Sequence, residues 1–367
     1  MKLRKKPIKL ASPEYDNADS KAIQSVLQSG WWGQGPKVEE LEEKFADLVG
    51  VNYACAVSSA SHGQDLVVKA TSKKSSKVLS PVISFITTAA VGRWNGLEIE
   101  LIDVDEESLC LNPQSLKKNR YSSNDILIVL NHSGIRADYE NIRKRFKGFI
   151  IEDAAHSCYF PGAGLGGDCA VWSFQAIKTL PCGDGGMITS NNKDLIERSK
   201  SMRWFGIEST WSRTSKKNSY SWDYTVSSLG YKCYMNDITA ALCLSQLTRL
   251  DERLEKRRWI QKYYNNNLTP TVRRPLHSHT VQNYCMRVPP GVRDDLVLYL
   301  KSKSIHTSVH YKPLNMHPVF KSEMGNFPTA NSEWKKLISL PVHSNMSAKD
   351  CEYVVYYINK FLKENCC

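Results

Sequence analysis

The chain has 367 residues, of which 41% are hydrophobic and 23% are charged, as in an ordinary globular protein with a large domain and a smaller companion. No segment approaches about 18 consecutive apolar residues, so the sequence predicts no membrane-spanning helix. The net charge of +12 is spread over separate clusters and is not combined with the aromatic motifs of a nucleic-acid-binding fold, which excludes nucleic acid as the expected partner.

The first elements in chain order are two helices, predicted over residues 14–29 and 37–49. A glycine-rich turn with two tryptophans, Ser29-Gly-Trp-Trp-Gly-Gln-Gly-Pro36, separates them. Further strand-like apolar runs alternate with helical stretches, and this alternation favours a mostly parallel, seven-stranded sheet covered on both faces. The seven runs span residues 53–57, 78–82, 98–102, 126–130, 149–151, 170–174 and 186–189.

The apolar pattern over residues 237–266 predicts one long helix, with room for a kink, that links to a second unit. Beyond about residue 268 the elements mix as in a small α+β domain. We therefore predict a large domain over residues 1–245 and a small C-terminal domain over 246–367.

The scattered cysteines do not resemble a disulfide framework. The eleven cysteines are an odd number with no Cys-x-x-Cys pair, which favours neither a disulfide framework nor a metal site. Cys55, Cys158, Cys169 and Cys243 lie in apolar runs and are predicted to be buried thiols. The basic N-terminus lacks the apolar segment of a secretory signal, so we expect a cytoplasmic protein.

An acidic residue and a lysine follow two of the predicted strands. Asp153 ends a buried apolar run, and Lys178 lies 25 residues later among uncharged neighbours. An amine kept among apolar residues loses its proton more easily and can attack a carbonyl carbon. Pyridoxal phosphate needs such a lysine for its Schiff base and an acid beside its pyridinium nitrogen. The alternatives are a helix-capping aspartate and a surface lysine.

Three further segments fit the same cofactor. Residues 58–61, Ser-Ser-Ala-Ser, stand at a strand-to-helix junction, where backbone N–H groups converge on anions such as phosphate. Ser173 could offer its hydroxyl to the same phosphate, and Phe85 could cover the face of the ring. Helix capping and a plain core position are the alternatives for these residues.

One apparent dinucleotide motif is rejected. Residues 162–167 match G-x-G-x-x-G, but they follow a turn and precede a strand-like run. The dinucleotide fingerprint must follow a strand and open a helix.

Together these residues resemble the DegT/DnrJ/EryC1/StrS family of sugar aminotransferases. The most specific motifs are Ile151-Glu-Asp-Ala-Ala-His156 and the run from Ser173 to Gly186, Ser-Phe-x-x-x-Lys-x-Leu-x-x-Gly-Asp-Gly-Gly. The opening turn with its tryptophans, residues 81–89, Gly230-Tyr-x-x-x-Met235 and residues 305–314 are also similar to the family, so the likeness covers nearly the whole chain.

The resemblance implies the aspartate-aminotransferase-like fold of PLP fold type I and a homodimer with shared active sites. It also implies pyridoxal 5′-phosphate as cofactor, glutamate as amino donor and a nucleotide-linked keto-sugar as acceptor, with the amino sugar used in surface polysaccharide or glycan synthesis. The cofactor residues carried over by motif are Ser59, Ala60, Ser61, Phe85, Asp153, His156, Ser173, Lys178 and Lys232; Lys178 and Asp153 are also the catalytic pair. Trp32, Arg203, His310 and Tyr311 are carried over as substrate-binding residues, and no metal is implied.

The sequence departs from the family pattern at several positions. Ser59-Ala60-Ser61 replaces Ser-Gly-Thr, Lys232 replaces an asparagine that reaches the phosphate across the dimer, and Tyr234 replaces an arginine. Lys178 argues against the dehydrating branch of the family, whose members have histidine there. A 4-keto-6-deoxy sugar is preferred on family frequency. A 3-keto-sugar or cyclitol aminotransferase, and a non-catalytic PLP-binding regulator, remain alternatives.

Overall fold

The computed structural model describes residues 4–207, 224–323 and 325–366. Its centre is a seven-stranded sheet in the order β1-β7-β6-β5-β4-β2-β3, in which only β7 runs antiparallel to its neighbours. The predicted fold class, a mostly parallel seven-stranded sheet with a smaller C-terminal part, is confirmed. The strands are β1 (Tyr53–Val57), β2 (Lys77–Pro81), β3 (Glu98–Ile102), β4 (Ile126–Leu130), β5 (Phe149–Asp153), β6 (Cys169–Ser173) and β7 (Gly186–Ser190).

Helices cover both faces of this sheet because its strands are apolar on both sides. Along β6, Trp172 packs on one face against Phe45, with ring centroids 5.2 Å apart, and Val171 packs on the other in the cluster that contains Leu66. The helices are α1 (Asn17–Ser29), α2 (Pro36–Val49), α3 (Ala60–Thr71), α4 (Thr87–Trp94), α5 (Tyr139–Arg145) and α6 (Lys193–Met202).

The predicted long helix is two helices, α7 (Asp237–Leu247) and α8 (Leu250–Asn267). The break falls at Thr248 and Arg249, where the backbone of Arg249 leaves the helical region (φ −115°, ψ 16°). The guanidinium of Arg249 donates to both carboxylate oxygens of Asp19, at 2.8 and 2.9 Å, which anchors the break against α1.

The C-terminal part has its own apolar core around a two-stranded antiparallel sheet. The elements there are β8 (Tyr284–Arg287), α9 (Arg293–Ser302), α10 (Pro328–Glu333), β9 (Leu337–Leu340) and α11 (Ala348–Asn365). Ile8 belongs to the same core and pairs with Ile305, so the N-terminal segment also packs there. The division between the two main cores falls within α8, between Leu254 and Ile260, and the predicted domain boundary at residue 245 stays a prediction.

All ten described cysteines are free thiols, and nine of them are buried. The predicted burial of Cys55, Cys158, Cys169 and Cys243 is confirmed. Within the described ranges, no helix is both long and apolar enough to cross a membrane. The same ranges contain no group of three or more His, Cys, Asp or Glu residues arranged to hold a metal ion.

Candidate active site

A cavity of ≈ 330 Å³ opens at the carboxyl ends of β4, β5 and β6, where ligands bind in open α/β sheets. Strand ends, the first turn of α3 and residues of the C-terminal part all contribute to its walls. Ten of the residues predicted from sequence line it: Ser59, Ala60, Ser61, Phe85, Asp153, His156, Ser173, Lys178, His310 and Tyr311.

Lys178 lies in the loop that connects the antiparallel strands β6 and β7. The loop is closed by backbone hydrogen bonds from Phe174 to Gly185 (2.9 Å) and from Ala176 to Gly183 (2.7 Å). Burial of the amine lowers the pKa of Lys178 to about 8; the carboxylate of Asp153 opposes this shift, and the cation of Arg257 adds to it. At neutral pH and above, a useful fraction of this amine is therefore the nucleophilic free base.

Asp153 is the last residue of β5 and is 3% exposed. Its carboxylate accepts the N–H of Ala155 at 3.0 Å. Burial raises the pKa of Asp153, whereas this hydrogen bond and the nearby Lys178 lower it. A buried carboxylate in this state is stabilised by any cationic N–H that enters the cavity.

His156 connects the sheet to the C-terminal part. Its Nδ1 accepts the N–H of Ser133 at 3.1 Å, and its Nε2 lies 3.0 Å from the Tyr311 hydroxyl. Burial, followed by the nearby charge of Lys178, lowers the pKa of His156 well below its ordinary value. The ring is therefore neutral, and because Nδ1 accepts, the proton resides on Nε2.

The predicted phosphate cup is the first turn of α3. Ser59 is its N-cap, and the Ser61 hydroxyl lies 2.9 Å from Oγ1 of Thr87 at the start of α4. A Cβ added to Gly186 would lie 2.5 Å from the backbone N of Ala60, so only glycine lets β7 approach this turn so closely. The N–H groups of Ala60 and Ser61, together with the hydroxyls of Ser59 and Ser61, provide a built anion site.

The mouth of the cavity is partly apolar. Phe85 is 54% exposed, and its ring centroid lies 6.2 Å from that of Tyr311. Ile177 is 43% exposed on the same wall. An aromatic face open to the cavity can cover a planar ring.

Arg203 does not line the cavity, which corrects its predicted role in substrate binding. The side chain is 2% exposed, forms an ion pair with the buried Glu42, and donates to the carbonyl of Ala56 at 2.7 Å. Burial alone would raise the pKa of Glu42, but Arg203 and Lys200 together hold it below its ordinary value. Arg203 therefore neutralises a carboxylate that is buried against the edge strand β1, where Glu42 accepts the N–H of Ala56 at 2.8 Å.

Trp32 and Lys232 lie outside the cavity of their own chain. Trp32 is 55% exposed and donates its indole N–H to the carbonyl of Leu27 at 3.2 Å. Lys232 is exposed, with its ammonium 5.5 Å from the centre of the Trp204 ring. Their predicted contacts with substrate and cofactor stay predictions.

Several residues of the site were missed from sequence. Gln64, Thr87, Gln175 and Asp184 also line the cavity. His132 follows β4 and donates from Nε2 to the carbonyl of His310 at 2.9 Å, which ties the loop carrying Tyr311 to the sheet. Helical spacing from the serine turn could have indicated Gln64, but His132 gives no local signal.

A model of the DegT/DnrJ/EryC1/StrS aminotransferase family matches residues 13–359. The chain belongs to this family. Among solved structures, the aminotransferase TlmJ from Streptoalloteichus hindustanus is similar at 26% identity, with 98% of this chain and 100% of that chain covered and a TM-score of 0.89. The sugar aminotransferase CalS13 from Micromonospora echinospora is 25% identical over 96% and 99% of the two chains, with a TM-score of 0.86.

The fold is also shared with Spr1654 from Streptococcus pneumoniae in its PLP form, at 21% identity, 98% and 99% coverage and a TM-score of 0.88. DegT/DnrJ/EryC1/StrS membership and the groups in the cavity together indicate pyridoxal 5′-phosphate as the cofactor. Lys178 offers an amine and Asp153 a carboxylate. The first turn of α3 offers an anion site, and Oε1 of the buried Gln64 has no hydrogen-bond partner among the described residues. The donor set fits this cofactor.

Proposed function

We propose that the protein transfers an amino group from glutamate to a nucleotide-linked keto-sugar, with a 4-keto-6-deoxy sugar preferred. The product would be an amino sugar for surface polysaccharide or glycan synthesis. The observation that carries this proposal is the meeting of Lys178, with its lowered pKa, and the buried Asp153 in one cavity with an anion-binding helix turn. The similarity to CalS13, a sugar aminotransferase, supports a sugar as acceptor.

When bound, pyridoxal phosphate supplies an aldehyde for amines and a ring that takes up the electrons of a breaking C–H bond. Lys178 would bond to the aldehyde and, once displaced by substrate, move the proton between carbon atoms as a general base and acid. Asp153 would keep the ring nitrogen protonated. The first turn of α3 would hold the phosphate, and Nε2–H of His156 would donate to the ring's phenolic oxygen.

The mouth of the cavity suits a hydroxylated acceptor. Gln175 and Asp184 are exposed at the mouth beside Phe85 and Ile177, so hydrogen-bonding groups alternate with apolar surface. The net charge of +12 would attract the diphosphate of a sugar nucleotide. These features also accommodate a 3-keto-sugar or a cyclitol, which a screen of keto-substrates with detection of 2-oxoglutarate would distinguish.

We infer that the enzyme is a homodimer with shared sites. Large apolar side chains exposed at Trp31, Trp32 and Phe205, outside the cavity, favour an interface with a second copy. In such a dimer, Lys232 would supply its charge to the phosphate in the partner's site. The free thiols of the described residues suit a reducing compartment, which supports a cytoplasmic location.

The direct test is spectroscopic. The purified protein should be yellow, and its visible absorption should move to shorter wavelength on addition of glutamate. Lys178→Ala should abolish turnover, and Lys193→Ala, at an exposed lysine on α6, should not. A protein that binds the cofactor but does not respond to glutamate or other amino donors would support the regulator alternative. A protein that stays colourless with added cofactor would contradict the proposal altogether.

A further inference from the structure

A short segment before β8 holds three loops of the active site. We call residues 278–282 the strap. Its side chains at positions 278, 280 and 282 are buried, and each donates a hydrogen bond to a backbone carbonyl of a different loop. The three bonds run from Ser278 Oγ to Ser133 O (2.7 Å), from Thr280 Oγ1 to His156 O (2.6 Å) and from Gln282 Nε2 to Ile177 O (3.1 Å).

Each of these carbonyls belongs to a residue of the site or directly beside it. Ser133 donates its N–H to Nδ1 of His156. The first two bonds of the strap therefore hold the loop that carries His156 and the loop that orients its ring. Ile177 precedes Lys178 in the chain. The strap therefore bonds to the loops that carry Lys178 and His156.

Gly134 and Arg257 constrain the position of the strap from two sides. A Cβ on Gly134 would overlap the Thr280 hydroxyl and lie 2.8 Å from the Ser278 hydroxyl, and the φ of +85° at Gly134 also favours glycine. From the other side, Nη1 of Arg257 on α8 donates to the carbonyl of Val281 at 3.1 Å. The strap is thus held between the site loops and the helix that joins the two cores.

We propose that the strap is a positioning element of the aminotransferase, and that Gln282 is the positioning residue for Lys178. Its hydrogen bond to Ile177 fixes where the amine of Lys178 emerges into the cavity, and Thr280 fixes the loop of His156 in the same frame. Small misplacements of reacting groups cost on the order of 100-fold in rate. This inference depends on the proposed function for its kinetic part but not for its structural part.

The test compares Gln282→Leu with a matched control, Gln246→Leu. Gln246 is also buried (2% exposed, against 5% for Gln282). Away from the site, its Nε2 donates to the carbonyl of Glu14 at 3.2 Å and to Oδ2 of Asp19 at 2.7 Å, so this control removes at least as much hydrogen bonding as Gln282→Leu does. Both variants are examined as full-length protein with the cofactor bound. The first readout is hydrogen exchange at the amide of Lys178, which donates to Gln175 O at 2.8 Å.

We expect Gln282→Leu to speed exchange at the Lys178 amide at least tenfold and to lower kcat on the order of 10- to 100-fold, with little change in the KM for glutamate. Gln246→Leu should change neither quantity, even if its thermal stability falls equally. Equal exchange at Lys178 in the two variants would overturn the inference.

If Gln282→Leu does not fold, Thr280→Val, which keeps the side-chain shape, is the second test. It should speed exchange in the loop after β5 by a similar factor, and unchanged exchange there would also overturn the inference. If Gln282→Leu speeds exchange at Lys178 but the wild-type protein transaminates no substrate, the positioning role of the strap stands and the proposed function is rejected.

Discussion

Two charged side chains near Lys178 shift the pKa of its amine in opposite directions. Removing one charge should therefore lower this pKa, and removing the other should raise it. Burial lowers this pKa from 10.5 to about 8. The carboxylate of Asp153 opposes this shift, and the cation of Arg257 adds to it. The net shift corresponds to about 3 kcal/mol against the protonated form. Asp153→Asn should lower the pKa further, and Arg257→Met should raise it, with the larger change in Asp153→Asn because the carboxylate has the larger influence.

The assay is competitive acylation of lysines in the cofactor-free protein as a function of pH, with Lys178 followed by mass spectrometry of its peptide. Only the unprotonated amine reacts, so the labelling of Lys178 should rise through a midpoint near pH 8 in the wild type. Asp184→Asn is the matched control for Asp153→Asn: Asp184 lines the same cavity, but its charge makes no appreciable contribution to this pKa.

Shifts of the same sign in Asp153→Asn and Arg257→Met would refute the electrostatic reasoning. So would a wild-type midpoint above pH 10, because the burial of the amine would then have no effect on its ionisation. A midpoint near pH 8 that both charge variants leave unchanged would assign the shift to burial alone.

Three further predictions concern other parts of the molecule. Arg203→Met leaves the buried Glu42 carboxylate without its nearest cation and should lower the free energy of urea unfolding by about 3–5 kcal/mol. The pKa of Glu42 is lowered in the folded protein, so the ion pair stabilises the wild type fully above pH 4.5. This stabilisation is lost as the pH falls through the folded pKa. Ser61→Ala should weaken retention of pyridoxal phosphate about tenfold in an absorbance titration, since one hydrogen bond to a charged group is lost, whereas Ser25→Ala on α1 should not. Lys232→Ala should weaken the same retention in the dimer, and identical affinities for variant and wild type would exclude Lys232 from the phosphate site.

Much of the site could be predicted from sequence because it depends on local patterns. Asp153 and Ser173 end strands, and the carboxyl ends of neighbouring parallel strands lie at one edge of the sheet. The serine turn opens a helix directly after β1. These features determine the edge of the sheet at which the cofactor-binding groups meet, independently of the rest of the chain.

The remaining residues depend on contacts between distant parts of the chain. Arg203 was assigned to the substrate because nothing in its own segment reveals Glu42, which lies 161 positions away. Ser278 and Ser133 are 145 positions apart, so no periodicity predicts their hydrogen bond. His132 was missed for the same reason, since its partner is a backbone carbonyl 178 positions away.

The central claim, that Lys178 bonds the cofactor, is tested most directly by borohydride reduction of the enzyme with pyridoxal phosphate bound, followed by proteolysis and mass spectrometry. The account predicts a single pyridoxyl-lysine, located at position 178, and its disappearance when glutamate is added before the reductant. A pyridoxyl group on another lysine, or no covalent adduct in a protein that is yellow, would contradict it.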